Sequence, residues 1–515
     1  MEPTVAEFFV GKKILVTGAT GFLGKVLVEK LLRCCPDLDK LYLMVRPKSG
    51  QPPQQRIKDM LDCQLYDKVR KENPDGLNKI VAITSDMLEP NLALTEEDRE
   101  LLQKEINIVF HVAATIKFDE KMKLSYRLNV KSLQEIITLC KEMKNLEVLV
   151  HTSTAYCNCD RQFIEEKIYP PPLDHQKLCQ AMEWMDDEMF HLITPKLIDQ
   201  RPNTYTFTKA IAEYVLAEEG AGLPVAIVRP SIVGASWKEP MPGWIDNFNG
   251  PSGVFIACGK GLLRSMRADP NAVADVVPVD IPVNVMIASA WYTAIKKPSL
   301  IPVYNVTTGG INPFRWGEME AVVPSLFKRY PLQNAFRRPS TSVTQGAVVQ
   351  EYWNIVCHTI PGYFYDFLLR LTGQRPRMVR IYDKMKKAMA TLEYFTTNTW
   401  EWANENTETL SRALTKEDNK VFFTDVRPLH WPTYLENYCL GTKKYVLNEE
   451  LSGLPQARAH LKRLRNIRYT FNTLLFVVIW RFLIARSQIA RNLWYFVTNL
   501  FFKFVQYCRL TSSTS

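Results

Sequence analysis

The sequence feature that most constrains the fold is a glycine-rich turn that joins a short apolar run to a helical pattern. Residues 13–16 (Lys-Ile-Leu-Val) predict a buried strand, and residues 26–32 repeat apolar side chains at helical spacing. Between them, Gly18 permits a tight turn, Gly21 lets the backbone approach a pyrophosphate, and Gly24 lets the helix pack closely on the strand. The free N–H groups at the start of the helix favour phosphates. The turn therefore predicts a dinucleotide site formed by Thr17, Gly18, Thr20, Gly21, Phe22, Leu23 and Gly24.

Apolar runs alternate with helical patterns over the first 306 residues of the chain. They predict further strands at 41–45, 80–83, 108–111, 146–150, 224–228 and 302–306. Such alternation is typical of a parallel sheet covered on both faces, so we predict the α/β class with a Rossmann-type doubly wound sheet. Insertions at 160–200 and 236–300 are expected over the carboxyl edge of this sheet. From about Trp316 to Glu450 the pattern is helical and rich in aromatic residues, which predicts a second, mostly helical domain.

The positive charge of the chain is confined to one segment. The formal net charge of +10 arises from 64 Lys and Arg residues against 54 Asp and Glu residues. Residues 456–515 contain ten of the basic residues and no acidic one, so the other 455 residues carry no net charge. This distribution excludes a basic body that coats nucleic acid, and a basic tail beside apolar runs indicates a membrane surface.

The same tail contains two apolar runs, at 469–485 and at 492–505, interrupted by Arg481 and Lys503 respectively. A membrane-spanning helix needs about 20 mainly apolar residues. The first run satisfies this if the span covers about 466–485 and Arg481 extends toward the lipid headgroups. We predict a membrane anchor with lipid as its partner; a hairpin or in-plane insertion and a soluble helix are the alternatives.

The residues that follow the second strand favour one dinucleotide over another. An NAD site usually has an acidic residue here, which binds the ribose 2′-hydroxyl. This chain has Arg46 and Lys48 instead, a pair suited to a 2′-phosphate, so NADPH is the predicted cofactor. Asp86, just after the third strand, is placed to meet the adenine amino group. A surface role for Arg46 and a solvated loop position for Asp86 are the alternatives.

A tyrosine and a lysine four residues apart, Tyr205 and Lys209, form the predicted catalytic pair. Positions i and i+4 share one face of a helix, and a neighbouring ammonium is expected to lower the pKa of the phenol from its usual value near ~10. Ser153 and Thr154, after the fifth strand, can supply a hydroxyl to the same carbonyl oxygen. Asn129 could hold a water that relays the proton; a helix cap or a surface amide is the alternative for it.

The eleven cysteines show no disulfide-like spacing. Cys157 and Cys159 flank a single residue, which is a poor spacing for zinc because no second ligand pair follows. We therefore expect no metal site. Reduced thiols are the simpler reading of these cysteines, and they indicate a body that faces the cytosol.

Taken together, these motifs resemble the extended short-chain dehydrogenase/reductases, and more specifically the alcohol-forming fatty acyl-CoA reductases, close to the animal, peroxisomal-membrane members. The motifs that carry the resemblance are Gly18 to Gly24, His111-Val112-Ala113-Ala114, His151 to Tyr156, Tyr169 to Pro172, the Tyr205/Lys209 pair, Arg229-Pro230-Ser231-Ile232-Val233-Gly234-Ala235, Gly243 to Asn247, Leu429 to Trp431 and Tyr438 to Tyr445. The resemblance extends over nearly the whole chain, including the helical region and the tail.

The resemblance implies that a long-chain acyl-CoA is reduced to a primary alcohol with two NADPH, through a bound aldehyde and with release of CoA. It implies Tyr205, Lys209 and one hydroxyl of the Ser153-Thr154 pair as catalytic residues, with Thr154 preferred. The implied cofactor residues, beyond those named above, are Met87, Ala113, Ala114, Asn129 and Pro230. It also implies a peroxisomal membrane location with the catalytic body facing the cytosol.

The expected organisation is a reductase domain at 1–315, a helical domain at 316–455 and a membrane-anchoring tail at 456–515. Two competing functions remain at this point. One is another NADP-dependent extended reductase, such as a sugar-nucleotide epimerase or dehydratase, whose polar substrates gain nothing from a membrane tail. The other is a membrane-tethered dinucleotide-binding scaffold, which would have no use for the Tyr205/Lys209 pair. The oligomeric state is open.

Overall fold

The centre of the molecule is a parallel β-sheet of seven strands, as the apolar runs predict. The computed structural model describes residues 2–48 and 50–512. Within them, the strands are β1 Lys13–Thr17, β2 Lys40–Val45, β3 Ile80–Thr84, β4 Ile108–His111, β5 Val148–Thr152, β6 Phe163–Ile164, β7 Val225–Pro230, β8 Ile232–Gly234, β9 Ser265–Arg267, β10 Val276–Pro278, β11 Val303–Val306, β12 Ser342–Thr344 and β13 Glu401–Trp402. The main sheet has the order β11-β7-β5-β4-β1-β2-β3. It is a Rossmann-type doubly wound sheet, in which the strand order reverses between β1 and β4.

Helices cover both faces of the sheet and form most of the region that follows it. They are α1 Val5–Phe8, α2 Phe22–Cys34, α3 Pro53–Leu61, α4 Asp67–Glu72, α5 Glu96–Glu105, α6 Met122–Tyr126, α7 Ser132–Glu142, α8 His175–Trp184, α9 Asp187–Ile198, α10 Thr204–Glu219, α11 Pro251–Gly259, α12 Asp280–Lys296, α13 Trp316–Arg329, α14 Ala347–Asn354, α15 Ile360–Leu371, α16 Met378–Thr397, α17 Glu405–Ala413, α18 Lys416–Val421, α19 Trp431–Gly441, α20 Leu454–Arg486 and α21 Gln488–Ser512.

The strands read as continuous apolar runs because both of their faces are buried. Successive side chains of a strand point to opposite faces. Ile14 and Val16 of β1 therefore pack in one layer with α2 and α12, whereas Leu15 packs in the other layer with α7 and α10. The sheet is thus the middle of three layers, and its carboxyl edge is free to carry a site.

The helical region after residue 315 is interleaved with the part of the chain that precedes it. Strand β13 pairs in parallel with β6, and β12 pairs in parallel with β9. Helix α19 approaches the loop at 243 so closely that a Cβ on Gly441 would lie 1.7 Å from the carbonyl oxygen of Gly243. One hydrophobic core holds Phe255 of α11 together with Trp316 of α13 and Tyr438 of α19. These contacts fix the helical region against the carboxyl edge of the sheet.

The tail forms two long helices, α20 and α21. Only the base of α20 is buried, at Ala457 and Leu461. Among the described residues, one helix, at Leu451–Arg486, is long and apolar enough to cross a membrane, and its most apolar window is not buried at all. The chain bends at Ser487, and the rings of Trp480 and Trp494 lie 6.1 Å apart, so α21 folds back toward α20.

Candidate active site

The glycine-rich turn lies at the carboxyl end of β1, where the strand order of the sheet reverses. Gly18 has a φ of +72°, and a Cβ there would lie 2.7 Å from the backbone nitrogen of Ala113, which follows β4. A Cβ on Gly24 would lie 2.3 Å from the carbonyl oxygen of Gly18. Glycine is therefore required at both positions. Helix α2 begins at Phe22, and Gly21 provides no side-chain cap, so the first N–H groups of the helix are free to bind an anion.

The other side chains of the turn serve mainly to hold it in place. Thr17 is buried, its hydroxyl lies 2.9 Å from His111 Nδ1, and the same oxygen accepts hydrogen bonds from the backbone of Val112 and Ala113 at 3.2 Å. Phe22 stacks on the ring of Trp244 at 5.4 Å. The predicted cofactor residues Thr17, Phe22 and Leu23 thus lie at the turn, with Leu23 packed against the core below it.

A second guanidinium stands beside Arg46, and sequence reasoning did not identify it. Arg56, in the first turns of α3, donates to the carbonyl oxygen of Arg46 and, at 3.2 Å, to the hydroxyl of Thr20. Burial and the charge of Arg46 lower the pKa of Arg56. Arg46 and Lys48 are exposed, and the backbone of Lys48 pairs with Gln51. The positive charges of Arg46 and Arg56 thus lie close together beside the glycine turn, and such a pair can bind an anionic group.

The residues predicted to surround the rest of the dinucleotide lie along the same edge. Asp86 follows β3, and its carboxylate accepts a hydrogen bond from the backbone of Leu88 at 3.0 Å. Met87 packs against the core beside it. Ala113 and Ala114 follow β4 and are half-buried. Pro230 ends β7 and is buried.

The predicted catalytic pair, Tyr205 and Lys209, lies at the start of α10. The side chain of Asn203 caps the helix by accepting from Thr206 N at 2.9 Å, which sets Tyr205 in the first turn. Lys209, one turn later, is buried and donates from Nζ to the carbonyl oxygen of Thr152 at 2.8 Å. Burial lowers the pKa of Lys209 to about 8. The end of β5 is thereby joined to the catalytic helix.

Thr154 lies beside the Tyr205 phenol and affects its pKa. Burial raises the pKa of Tyr205 to about 12, and the side-chain hydrogen bond with Thr154 opposes that rise. The expected effect of the Lys209 ammonium on this pKa stays a prediction; in the structure that ammonium donates to the carbonyl oxygen of Thr152. The Thr154 hydroxyl also accepts from Tyr156 N at 3.3 Å. Ser153 is buried, and its hydroxyl bonds to the Cys157 thiol, which opposes the rise that burial gives to the pKa of that thiol.

Asn129 is buried and forms hydrogen bonds with two separate segments of the chain. It lies in the π-helical turn Arg127–Lys131, and its amide donates to the hydroxyl of Thr208 at 3.0 Å. Its side-chain oxygen accepts from Thr115 N at 2.9 Å. Because Thr208 neighbours Lys209, Asn129 connects the loop after β4 to the catalytic helix. Buried Asn129 is thus neither a helix cap nor a surface amide.

Aromatic rings from the first 315 residues and from the helical region form a wall beside Tyr205. The ring of Phe118 stacks on that of Tyr205 with centroids 5.7 Å apart, and Phe395 of α16 packs against Phe118 at 5.3 Å. Tyr156 meets Phe395 at 5.0 Å and Trp402 at 5.6 Å, edge to face. The abundance of aromatic residues after residue 316 was visible in the sequence, but their convergence on Tyr205 was not.

A buried ion pair supports the same helix one turn beyond Lys209. Arg229 of β7 and Glu213 of α10 form two contacts, at 2.6 and 2.8 Å, and both side chains are buried. Arg229 also donates to the carbonyl oxygens of Glu165 and Lys167, at 3.0 and 2.7 Å. Part of the insertion at 160–200 is thereby fixed at the carboxyl edge of the sheet, where it was predicted. Arg229 belongs to one of the motifs that carry the family resemblance. Its ion-pair partner, Glu213, was not predicted from the sequence.

Comparison with protein families places most of the chain in known models. A model of an NAD-binding domain, described as male sterility protein, matches residues 16–286. A second model, Sterile, with the same description, matches residues 357–449. Both models contain parts of the site, because Tyr205 lies in the first and Phe395 in the second.

Three curated relatives are similar to this chain over almost its whole length. Fatty acyl-CoA reductase 1 of Homo sapiens is 57% identical over 99% of both chains. The protein of the same name from Xenopus laevis is 56% identical over the same shares. Fatty acyl-CoA reductase 2 of Bos taurus is 49% identical over 99% of both chains.

Solved structures show the fold at much lower identity. The reductase domain of a nonribosomal peptide synthetase from Mycobacterium tuberculosis superposes with a TM-score of 0.56, at 18% identity, over 88% of this chain and 94% of that one. The terminal R domain of the myxalamid pathway gives 0.55, also at 18% identity, over 86% and 93%. The sheet and much of the helical region are therefore shared with these domains.

Proposed function

This chain belongs to the fatty acyl-CoA reductase family, and on that premise we propose that it reduces a long-chain acyl-CoA to the primary fatty alcohol with two NADPH. The observation that carries the proposal is the meeting of Tyr205, Thr154 and Lys209 at the carboxyl edge of the sheet, next to the glycine turn. A phenol and a hydroxyl there can bind one carbonyl oxygen.

The residues of the turn fit a dinucleotide. At Gly18 and Gly24 there is no room for a Cβ, so the backbone of the turn stays open to a ligand. The uncapped start of α2 offers N–H groups to a pyrophosphate. Arg46 and Arg56 would hold a 2′-phosphate, which supports NADPH over NADH. When bound, this cofactor supplies one hydride for each of the two reductions.

The chain's own groups would then act on the oxygen and the proton. In the first reduction, the hydroxyls of Tyr205 and Thr154 stabilise the negative charge that develops on the thioester oxygen. The carbon–sulfur bond breaks, the oxygen reforms a carbonyl, and CoA leaves as a thiolate. In the second reduction, the aldehyde oxygen takes the phenolic proton of Tyr205. The phenol holds its proton at neutral pH, because burial raises the pKa of Tyr205 to about 12, and it can still protonate the far more basic alkoxide that the hydride transfer forms.

Lys209 has two roles in this proposal. Its ammonium would hold the nicotinamide ribose, and it would return a proton to Tyr205 between turnovers. With a pKa of about 8, this ammonium gives up its proton more readily than an ordinary lysine. The aromatic wall of Phe118, Phe395 and Tyr156 would exclude water from the aldehyde.

The division of labour along the chain follows the same proposal. Residues 1–315 would bind the cofactor and carry the chemistry, 316–455 would shape the acyl site, and 456–515 would anchor the enzyme in the peroxisomal membrane. The exposed apolar helix Leu451–Arg486 supports the anchor, and ten free cysteines in the described chain support a body in the reducing cytosol.

The experiment that tests the function follows both hydrides into the product. The full chain, in vesicles, is incubated with saturated and unsaturated acyl-CoAs of increasing length and with NADPH deuterated on the transferred position. The proposal expects a primary alcohol with two deuterium atoms on its first carbon, free CoA, and two NADPH consumed per alcohol. An aldehyde as the end product, or alcohol with a single deuterium, would contradict the two-step reduction.

A further inference from the structure

Helices α14 and α15 expose a broad apolar face that no described part of the chain covers. They are joined by the π-helical turn Ile355–Thr359. The large apolar side chains of this segment are exposed, several of them by more than 60%. Those exposed are Val348, Val349, Tyr352, Trp353, Ile355, Val356, Ile360, Tyr363, Phe364, Phe367, Leu368 and Leu371. We call this set the α14–α15 face.

The orientation of α15 is the reverse of that found in an ordinary surface helix. Its exposed apolar side chains recur every three or four residues and so form one stripe. The opposite stripe, which faces the body, holds Gly362, Asp366 and Leu369, so a carboxylate lies among the buried residues. The carboxylate of Asp366 accepts the backbone N–H groups of Met378 and Val379, at 2.8 and 3.0 Å, and so caps α16. An apolar surface of this extent on a soluble monomer marks an interaction site.

Basic side chains lie at one end of the α14–α15 face. Arg337 donates to the carbonyl oxygen of Cys357 at 2.9 Å, and Arg264 donates from its backbone to His358 Nε2 at 3.0 Å. Burial lowers the pKa of Arg264, and the charges of Arg337 and of Arg468 in the tail lower it further. In the part of the chain that the structure describes, none of these three arginines pairs with a carboxylate. This cluster of like charges attracts anions.

The tail leaves the body at the same end of the molecule. His460 of α20 lies 2.8 Å from the carbonyl oxygen of Ala335, and the adjacent residue, Phe336, packs edge to face on Tyr365 of α15 at 5.0 Å. The segment 335–337 therefore touches both the base of the tail and the α14–α15 face. A membrane reached by the tail is within reach of this face.

We propose that the α14–α15 face inserts into the headgroup region of the membrane, with Arg264, Arg337 and Arg468 on the phosphates of anionic lipids. A bilayer is favoured over a second protein because the face is continuous with an apolar, basic tail and its own flanking charges are positive. In this arrangement the body contacts the membrane through the α14–α15 face as well as through the tail.

The test maps which residues touch lipid in the full chain. The protein is reconstituted in phosphatidylcholine vesicles, with or without phosphatidylserine, that contain a lipid with a photoactivatable group in its acyl chain. After illumination, labelled peptides are identified by mass spectrometry. The proposal expects label in residues 347–371 as well as in the tail, and about fivefold more label in 347–371 when phosphatidylserine is present. No turnover is required, so this result is independent of the proposed chemistry.

A double variant and a matched control sharpen the result. Phe364→Asp combined with Phe367→Asp is expected to reduce the label in 347–371 about tenfold, with tail label and NADPH binding unchanged. Leu192→Asp, at an equally exposed apolar residue of α9, is expected to change neither. Label confined to α20 and α21 in the parent chain would overturn the proposal. Cross-links between two copies of the chain through α15, without lipid label there, would overturn it in favour of a dimer interface.

Discussion

Trp402 donates a hydrogen bond from its indole nitrogen to the carbonyl oxygen of Ala155 at 3.2 Å, across 247 residues of sequence. Ala155 directly follows Thr154, the residue whose hydroxyl acts on the Tyr205 phenol. The helical region therefore holds the loop that carries a catalytic hydroxyl.

Trp402→Phe keeps an aromatic ring in the wall but leaves the Ala155 carbonyl without its donor. A buried acceptor left unpaired costs about 1–3 kcal/mol, so we expect a lower thermal midpoint together with a lower kcat. Trp184→Phe, at an exposed tryptophan, serves as the control. A lower midpoint with unchanged kcat would mean that Trp402 stabilises the fold without orienting the loop.

Tyr205→Phe removes the phenolic proton and keeps the stacking on Phe118. A positioned general acid contributes about 10²-fold or more, so alcohol formation should fall at least by that factor. The affinity for NADPH, measured by fluorescence quenching or calorimetry, should stay close to that of the parent. Activity above about a tenth of the parent would show that another group donates the proton.

Thr154→Val and Ser153→Ala distinguish the two hydroxyls. Because only Thr154 acts on Tyr205, its loss should reduce kcat about 100-fold, as expected for one oxyanion donor. The Ser153 hydroxyl acts on the Cys157 thiol, so Ser153→Ala should leave kcat nearly unchanged. The opposite ranking in steady-state rates would transfer the role to Ser153.

Arg56→Gln should weaken the binding of NADPH much more than that of NADH, because the Arg56 guanidinium lies at the glycine turn beside Arg46. A charge-assisted contact is worth about 1.5–3 kcal/mol, so the ratio of the two affinities should change about tenfold or more. Arg46→Ala should act in the same direction, while Arg412→Gln, on the surface of α17, should change neither affinity. An equal loss for both cofactors would assign Arg56 to holding the turn through Thr20.

A chain truncated after Arg465 keeps the buried base of α20. It lacks the exposed remainder of α20 and the whole of α21. It should lose the membrane association that resists alkaline carbonate, and keep NADPH binding and activity on short, soluble acyl-CoAs. In the full chain, a C-terminal epitope tag on intact organelles reports the topology. The contact of Trp480 with Trp494 predicts that the tag is digested without detergent, whereas protection would indicate a single span.

Local signals in the sequence predicted the sheet and the centre of the site well. Each predicted strand lies within two residues of an observed one, because a strand buried on both faces must be apolar throughout. Gly18 and Gly24 were found for the same kind of reason, since no other residue fits their backbone surroundings. The Tyr205/Lys209 pair was found because one helical turn fixes its spacing.

The residues that sequence reasoning missed act across long distances in the chain. Arg56 reaches the glycine turn from another helix, and Glu213 meets Arg229 only when α10 packs against β7. The orientation of Lys209 toward Thr152 also depends on the fifth strand ending beside α10. No spacing within a short window reports these contacts, because they depend on packing between elements that are remote in sequence.

The late position of Trp402 and Phe395 in the chain has a consequence for biosynthesis. N-terminal domains generally fold first as a chain leaves the ribosome, and here the sheet is complete once β11 has emerged. The strand β13, which pairs with β6, is translated much later. A nascent chain thus passes through a stage in which the sheet is formed while the loop after Thr154 has no aromatic cover. Ribosome stalling or premature termination in that interval would release an immature enzyme with its catalytic loop open to water and to proteases.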